Sequence, residues 1–375
     1  MEIEGVAARF PDSVTAERVA LWEAGDELPT LAQLKKLSEI YRRPLAVFFL
    51  QKAPREFPVP RDFRRMPGEG LGAFSPALRF ELRAAQERRL AALQFYDELE
   101  EAPPAFPLTG TMREAPATLG TRAREALGFT IREQFAWRDQ YEAMKAWKTR
   151  IEGLGVLVFQ VPGIDTNEMR GFSIAEMPLP VMGVNRAESP RARIFSMMHE
   201  LTHLMVRQSG VCDFNEDLGA PPEERRIEVF CNAVAAEILA PAEVFLAQAE
   251  IVNHPERPRF WQEETILTLA NRFHVSREFI VRRLLEHKHC TNDFYRMKRE
   301  SYHQQYLANR AKNKARQEPW GEPWGEKRQR ILGDAFTKLV FDTYREGHLT
   351  LSEMLGHLQI KVKHLPQFEA EFGVI

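Results

Sequence analysis

A mostly helical α+β fold, with a small three-stranded sheet packed on two buried helices and helical regions to either side, is predicted for this 375-residue sequence. Three observations carry the prediction. Helical runs punctuated by proline and glycine fill most of the chain, and three short β-rich runs cluster between residues 156 and 184. Two later segments are apolar on nearly every side, the mark of helices that lie inside a fold. Hydrophobic residues at 44% and charged residues at 28% describe a globular chain with enough apolar content for two or three domains.

The first sixty residues divide into short helices, one over 4–10 and others within 14–25, 28–34 and 40–49. From Thr15-Ala-Glu-Arg-Val-Ala-Leu-Trp22 onward this stretch resembles the helix-turn-helix of XRE-type repressors from the third helix of that family's bundle. The resemblance implies that the segment ahead of Trp22 and Glu23 enters the major groove and that Thr30 caps the next helix. Only one short helix precedes it, however, and acidic residues are about as many as basic ones. Such a piece lacks the phosphate-binding surface that supplies most DNA affinity, so docking to a protein is the preferred reading over DNA binding.

Residues 56–72 read as a basic, proline- and glycine-containing linker, and 76–101 as one long charged helix ended by the prolines of 103–107. A helix pair follows and finishes with a helix over 132–152. Its aromatic residues Phe135, Trp137, Tyr141 and Trp147 read as packing. Then the pattern turns to strands over 156–161, 171–174 and 181–184, short runs of β-formers bounded by turn residues.

The helix after these strands carries Met-His-Glu-Leu-Thr-His from Met198 to His203. Ser189 and Pro190 suit its N-cap and first turn, and Ile194, Phe195, Met197, Met198, Leu201, Leu204, Met205 and Val206 surround the motif with apolar residues. On a helix His199 and His203 lie one turn apart on one face, so both imidazoles reach one metal ion. Glu200 can then meet a water activated at that metal without becoming a ligand, the arrangement of a hydrolytic zinc site. The plainer alternative is a pair of hydrogen-bonded core histidines.

Residues 221–241 form a second helix framed by prolines, with Glu223 and Glu224 in its first turn. Between Ile227 and Ala236 the only polar residues are Glu228 and Asn232, four apart and so on one face. A carboxylate among Val229, Phe230, Cys231, Ala233 and Val234 needs a positive partner. Zinc fills that need and makes Glu228 the third ligand, with a fourth position open to water. An ion pair with Arg191 or Arg193 is the alternative. Asn232 can hold a ligand histidine by its other ring nitrogen, or be an ordinary packing amide.

These two segments, Arg193 to His203 and Glu228 to Pro241, resemble the signature helices of the ImmA/IrrE family of bacterial metallopeptidases. Gly171-Phe-Ser-Ile174 and Pro180-Val-Met-Gly-Val-Asn185 extend the likeness over about a third of the chain. Where the family usually has Met before the closing proline, this chain has Ala240. The resemblance implies zinc held by His199, His203 and Glu228, Glu200 as general base, and a transcriptional repressor as substrate. In metallopeptidases of this type a sheet edge beside the zinc pairs with extended substrate, and residues 180–185 are expected to be that edge, the alternative being an interior strand.

Residues 266–285 look like a second helix-turn-helix, capped by Ser276 with Arg277, Arg282 and Arg283 exposed, either on a solvated basic face or against nucleic acid. Residues 296–327 are strongly charged and contain a tandem Glu-Pro-Trp-Gly at 318–325, read as a loop, and residues 335–358 are helical. The resulting division is 1–55 repressor-like, 56–130 linker and helices, 131–290 zinc core, and 291–375 charged and helical.

A net charge of -2 argues against a generally nucleic-acid-binding surface. No apolar run approaches a membrane span, and the sequence starting at Met1 lacks a signal peptide. Three cysteines, Cys212, Cys231 and Cys290, show no paired spacing and fit a reducing compartment, so a cytoplasmic location is expected. Cys231 reads as a small core residue. Cys212, in the loop between the site helices, is a candidate to approach the zinc. The expected function is a zinc endopeptidase acting on a regulatory protein; the alternative is a DNA-binding regulator whose zinc domain is a sensor or relic.

Overall fold

The computed structural model describes residues 3–10, 14–41, 45–50, 61–62, 74–212, 222–254, 260–315 and 324–372. Two compact units divide the chain, one of residues 1–59 and 69–84, the other of residues 60–68 and 85–375.

In the first unit, helices α1 (Ile3–Ala7), α2 (Ala16–Ala24) and α3 (Leu31–Tyr41) enclose a small core of Val6, Val19, Trp22, Leu37 and Ile40. Thr15 caps α2 by accepting from the Arg18 amide, and Gly25 ends it with φ 83°, a left-handed turn that suits glycine. Thr30 exchanges hydrogen bonds with Gln33 at the start of α3, the cap expected there. The long helix α4 (Pro76–Glu98) begins in this unit and continues into the second.

In the second unit the helix predicted over 132–152 is two helices. After α5 (Pro116–Leu127) come α6 (Ile131–Ala136) and α7 (Gln140–Gly153), because Trp137 is extended and Asp139 accepts from the Tyr141 and Glu142 amides. An aspartate placed there satisfies helix-starting amides better than it continues a helix. Trp147 is fully buried against Phe129 and Trp137, and Phe135 packs on Phe273, as expected of packing aromatics; Tyr141 departs from that pattern and is exposed.

The three expected strands are β2 (Leu157–Val161), β3 (Gly171–Ile174) and β4 (Val181–Asn185), every residue of them buried. Two shorter strands extend the sheet, β1 (Arg61–Asp62) and β5 (Gly210–Cys212), in the order β1-β5-β3-β4-β2. β4 runs antiparallel to β3 and parallel to β2, so it is interior and not the expected open edge: both sides of its backbone are already paired. The rest of the predicted linker, and residues 318–323 of the tandem repeat, lie outside the described residues, while Trp324 and Gly325 of that repeat begin a helix and are not the expected loop. Arg89 on α4 fastens the β3–β4 turn, donating to the carbonyls of Pro178 and Leu179 and pairing with Glu176 at 2.9 Å.

Helix α8 (Pro190–Met205) crosses β3 and β4, with Ser189 capping its Ala192 amide. Helix α9 (Pro222–Leu239) packs on α8 and α5. Beyond it come α10 (Ala242–Leu246), α11 (Ala249–Val252), α12 (Glu263–Phe273), α13 (Arg277–Glu286) and α14 (Asn292–Ala315). The chain closes with α15 (Trp324–Leu332), α16 (Asp334–Arg345), α17 (Leu351–Leu358) and α18 (Leu365–Phe372). Among the described residues no helix is long and apolar enough to cross a membrane.

The α12–α13 pair is the helix-turn-helix-like unit, and its arginines are not arranged as expected. Arg283 is only 4% exposed. It donates to the Ala240 carbonyl at 2.7 Å and to Glu237 at 2.9 Å, while Arg124 donates to the Ile238 carbonyl and Gln134 to that of Leu239. The last carbonyls of α9 have no intrahelical partner, and positive charge suits that end, so these side chains finish the helix from neighbouring elements. Arg283→Ala would take from Glu237 its charged partner, leaving it the Ala242 amide, and would leave the Ala240 carbonyl without the guanidinium inside the fold; it is expected to cost about 3–5 kcal/mol. Chemical denaturation measures it, and Arg283→Lys, lacking the planar fork, is expected to recover only part.

A buried charge cluster joins α7 to α16. Lys148 donates to Asp334 at 2.8 Å, and Glu152 accepts from the Asp334 and Ala335 amides at the start of α16. Burial pushes the Glu152 carboxyl up to about 7, Lys148 working against the rise and Asp334 with it. A folded-state value above that of an exposed carboxylate means stability that is full at low pH and lost as pH rises from about 4.5 through about 7. Glu152→Gln keeps an acceptor for both amides. Its melting temperature relative to the unsubstituted protein is therefore expected to improve between about pH 5 and about pH 8. His274, His287 and His357, held below the usual range chiefly by burial, titrate with the opposite sign in both proteins and cancel in the comparison. A difference constant across that window would rule out titration of Glu152 there.

Candidate metal centre

His199, Glu200 and His203 are fully buried on α8. Helical spacing places both imidazoles on the side facing α9, where Glu228 meets them: His199 Nε2 is 3.1 Å from Glu228 Oε2 and His203 Nε2 is 3.2 Å from Glu228 Oε1. The two Nε2 atoms stand 3.1 Å apart. One donor atom from each of the three residues falls within 4.8 Å of the others, the metal-ligand grouping found among the described residues.

The alternative partners for Glu228 are engaged elsewhere. Arg193 donates to Gln160, and Arg191 to the Val275 carbonyl and Asn271, which ties the α12–α13 turn to the start of α8. Asn232 Oδ1 lies 2.9 Å from His199 Nδ1. It accepts the ring proton there, which leaves Nε2 as the unprotonated nitrogen facing Glu228.

Electrostatics agree with this assignment of protons. Burial holds His199 below the usual histidine range and so favours the neutral ring. Burial raises the Glu228 carboxyl, and protonated imidazoles beside it would outweigh that and hold it below the usual carboxylate range; neutral rings that turn bare nitrogens toward it give it no positive partner, and a divalent cation among the three does. Two neutral imidazole nitrogens and one carboxylate, converging in a buried place, form a donor set that a divalent cation accepts.

The Glu200 side chain reaches β3. A Cβ built on Gly171 would collide with Glu200 Oε1 and stand 3.0 Å from its Cδ and Cγ, so the carboxyl end lies directly on the strand. Cys231, next to Asn232 on α9, is a fully buried free thiol; burial raises it above its usual range, and the neighbouring His203 works against the rise. The sequence predicts only a small core residue at this position; its place three residues after Glu228 is the signal of the histidine beside it. Cys212 belongs to β5, not a loop, and its side chain, with those of Glu223 and Glu224, is outside the described residues.

A His-Glu-x-x-His helix, a glutamate from a second helix and a sheet under the first define the general class of a metallopeptidase-type centre. Residues 151–285 match the Peptidase M78 family model, described as the IrrE N-terminal-like domain, and that segment holds both site helices and β2 to β5. The match supports a metallopeptidase-type domain over those residues. No curated protein matches the chain.

Proposed function

We propose that the protein is a zinc-dependent endopeptidase that cleaves a regulatory protein, an XRE-type repressor by resemblance. The convergence of His199, His203 and Glu228 within 4.8 Å, on the helix that also carries Glu200, is the supporting observation. The first two histidines and Glu228 are the ligands. Zinc bound by them supplies Lewis-acid polarisation of water and of the scissile carbonyl.

Glu200 is the general base: it takes the proton of the attacking water and returns it to the departing amine. Asn232 fixes the tautomer and plane of His199 through the 2.9 Å contact. Glu228 brings a negative charge that a divalent cation in a buried place requires.

The N-terminal unit is read as a docking element. Arg18 is paired with Glu27 and Lys36 with Glu39, which leaves less charge for phosphates. The free thiols Cys231 and Cys290 suit the proposed cytoplasmic setting.

The test is to incubate the zinc-loaded protein and its Glu200→Gln variant with the products of neighbouring regulatory genes and measure intact masses. A pair of fragments whose masses sum to the substrate plus one water, formed by the unsubstituted protein alone, supports the reading. Intact candidates together with a salt-sensitive shift of DNA by the chain would favour the regulator instead.

A further inference from the structure

Gly171 opens β3, an interior strand, where it is in register with Val184 of β4 and Cys212 of β5. Glycine is a poor strand residue, and an isolated one in a strand usually marks a close approach of something to the backbone. Its backbone is not the reason for it here, because Gly171 is absent from the glycines that take a positive φ. What approaches is Glu200: the three nearest heavy atoms to a Cβ at this position are its Oε1, Cδ and Cγ. Gly183 of β4 makes room instead for the ring of Phe172, an apolar contact within the sheet. Glu200 is fully buried, so its carboxyl has little freedom to move aside.

We propose that Gly171 is a positioning residue for the proton transfer: by carrying no side chain it seats the Glu200 carboxylate against β3. Any side chain there displaces the carboxylate while leaving His199, His203 and Glu228 in place. This rests on the endopeptidase reading of the site.

Two measurements on the full chain test it. The first is a double-mutant cycle of melting temperatures in metal-free protein, with Gly171→Ala made alone and in a Glu200→Ala background. Gly171→Ala is expected to lower the melting temperature by about 3 °C alone and to do little once Glu200 is truncated. Equal losses in both backgrounds, or failure to fold in both, would overturn the proposal, whereas failure to fold only where Glu200 is intact supports it.

The second is the affinity of zinc-loaded protein for acetohydroxamic acid by calorimetry, since a carboxylate beside the metal accepts the proton of a bound hydroxamate. Gly171→Ala is expected to keep one zinc per chain and to lose about tenfold in affinity, as Glu200→Gln does. Unchanged affinity in Gly171→Ala, with the loss present in Glu200→Gln, sinks the positioning role and spares the endopeptidase reading. No zinc or hydroxamate binding by the unsubstituted protein sinks that reading, while the melting cycle still decides whether Gly171 seats Glu200.

Discussion

Glu200→Gln is expected to bind zinc as the unsubstituted protein does and to lose cleavage by about 10²- to 10⁴-fold. The amide has nearly the shape of the carboxylate and fits the same place on β3, so the change removes a base and little else. His199, His203 and Glu228 keep their mutual geometry, because none of the contacts among them runs through Glu200. Metal analysis and single-turnover cleavage, done on the same preparation, read the two effects separately. Cleavage retained in Glu200→Gln with full zinc would remove Glu200 from the mechanism.

The other large effect is expected from the ligands. His203→Ala removes one of three donors, and Glu228→Ala removes the only carboxylate among them, so each is expected to lose zinc and cleavage together. The metal-free proteins should differ less than the loaded ones. Zinc at a hundred times its dissociation constant stabilises a binding-competent fold by about 2.7 kcal/mol, a gain absent when the site is gone. Melting curves with and without added zinc therefore distinguish lost binding from lost folding: the unsubstituted protein responds and the two variants do not. A zinc response retained in Glu228→Ala would show that the metal is held without the second helix.

Glu200→Gln and His203→Ala thus separate the two roles proposed for one short motif, base and metal ligand. That combination was visible in the sequence because helical periodicity is local: a four-residue spacing puts His199 and His203 on one face whatever surrounds them. Glu228 and Asn232 were legible for a related reason. Two polar residues one turn apart in the otherwise apolar stretch from Ile227 to Ala236 must face something that compensates them, and the structure places both against the histidines. The strands β2, β3 and β4 were equally plain from their short β-rich runs.

Other features depended on what lay across space. Arg283 was expected to lie exposed with Arg277 and Arg282 on a basic face, but the carbonyl end of α9 lies against it and draws the guanidinium inward. The break at Trp137 to Asp139 was hidden because helix formers stand on both sides and only the Asp139 cap marks the boundary. The edge expected at 180–185 failed for a topological reason: β2, β3 and β4 follow one another in the chain, yet β4 lies between the other two.

Sequence alone determined which side chains share a helix face, hence the histidine pair, the neighbouring Glu200 and the carboxylate of the second helix, since these follow from a repeat of 3.6 residues. Only tertiary structure decided which strand is interior, which arginine is buried and that Glu200 rests on Gly171. Those outcomes depend on contacts between residues as much as 46 positions apart, as in Arg283 and Glu237, whose pairing no local period encodes.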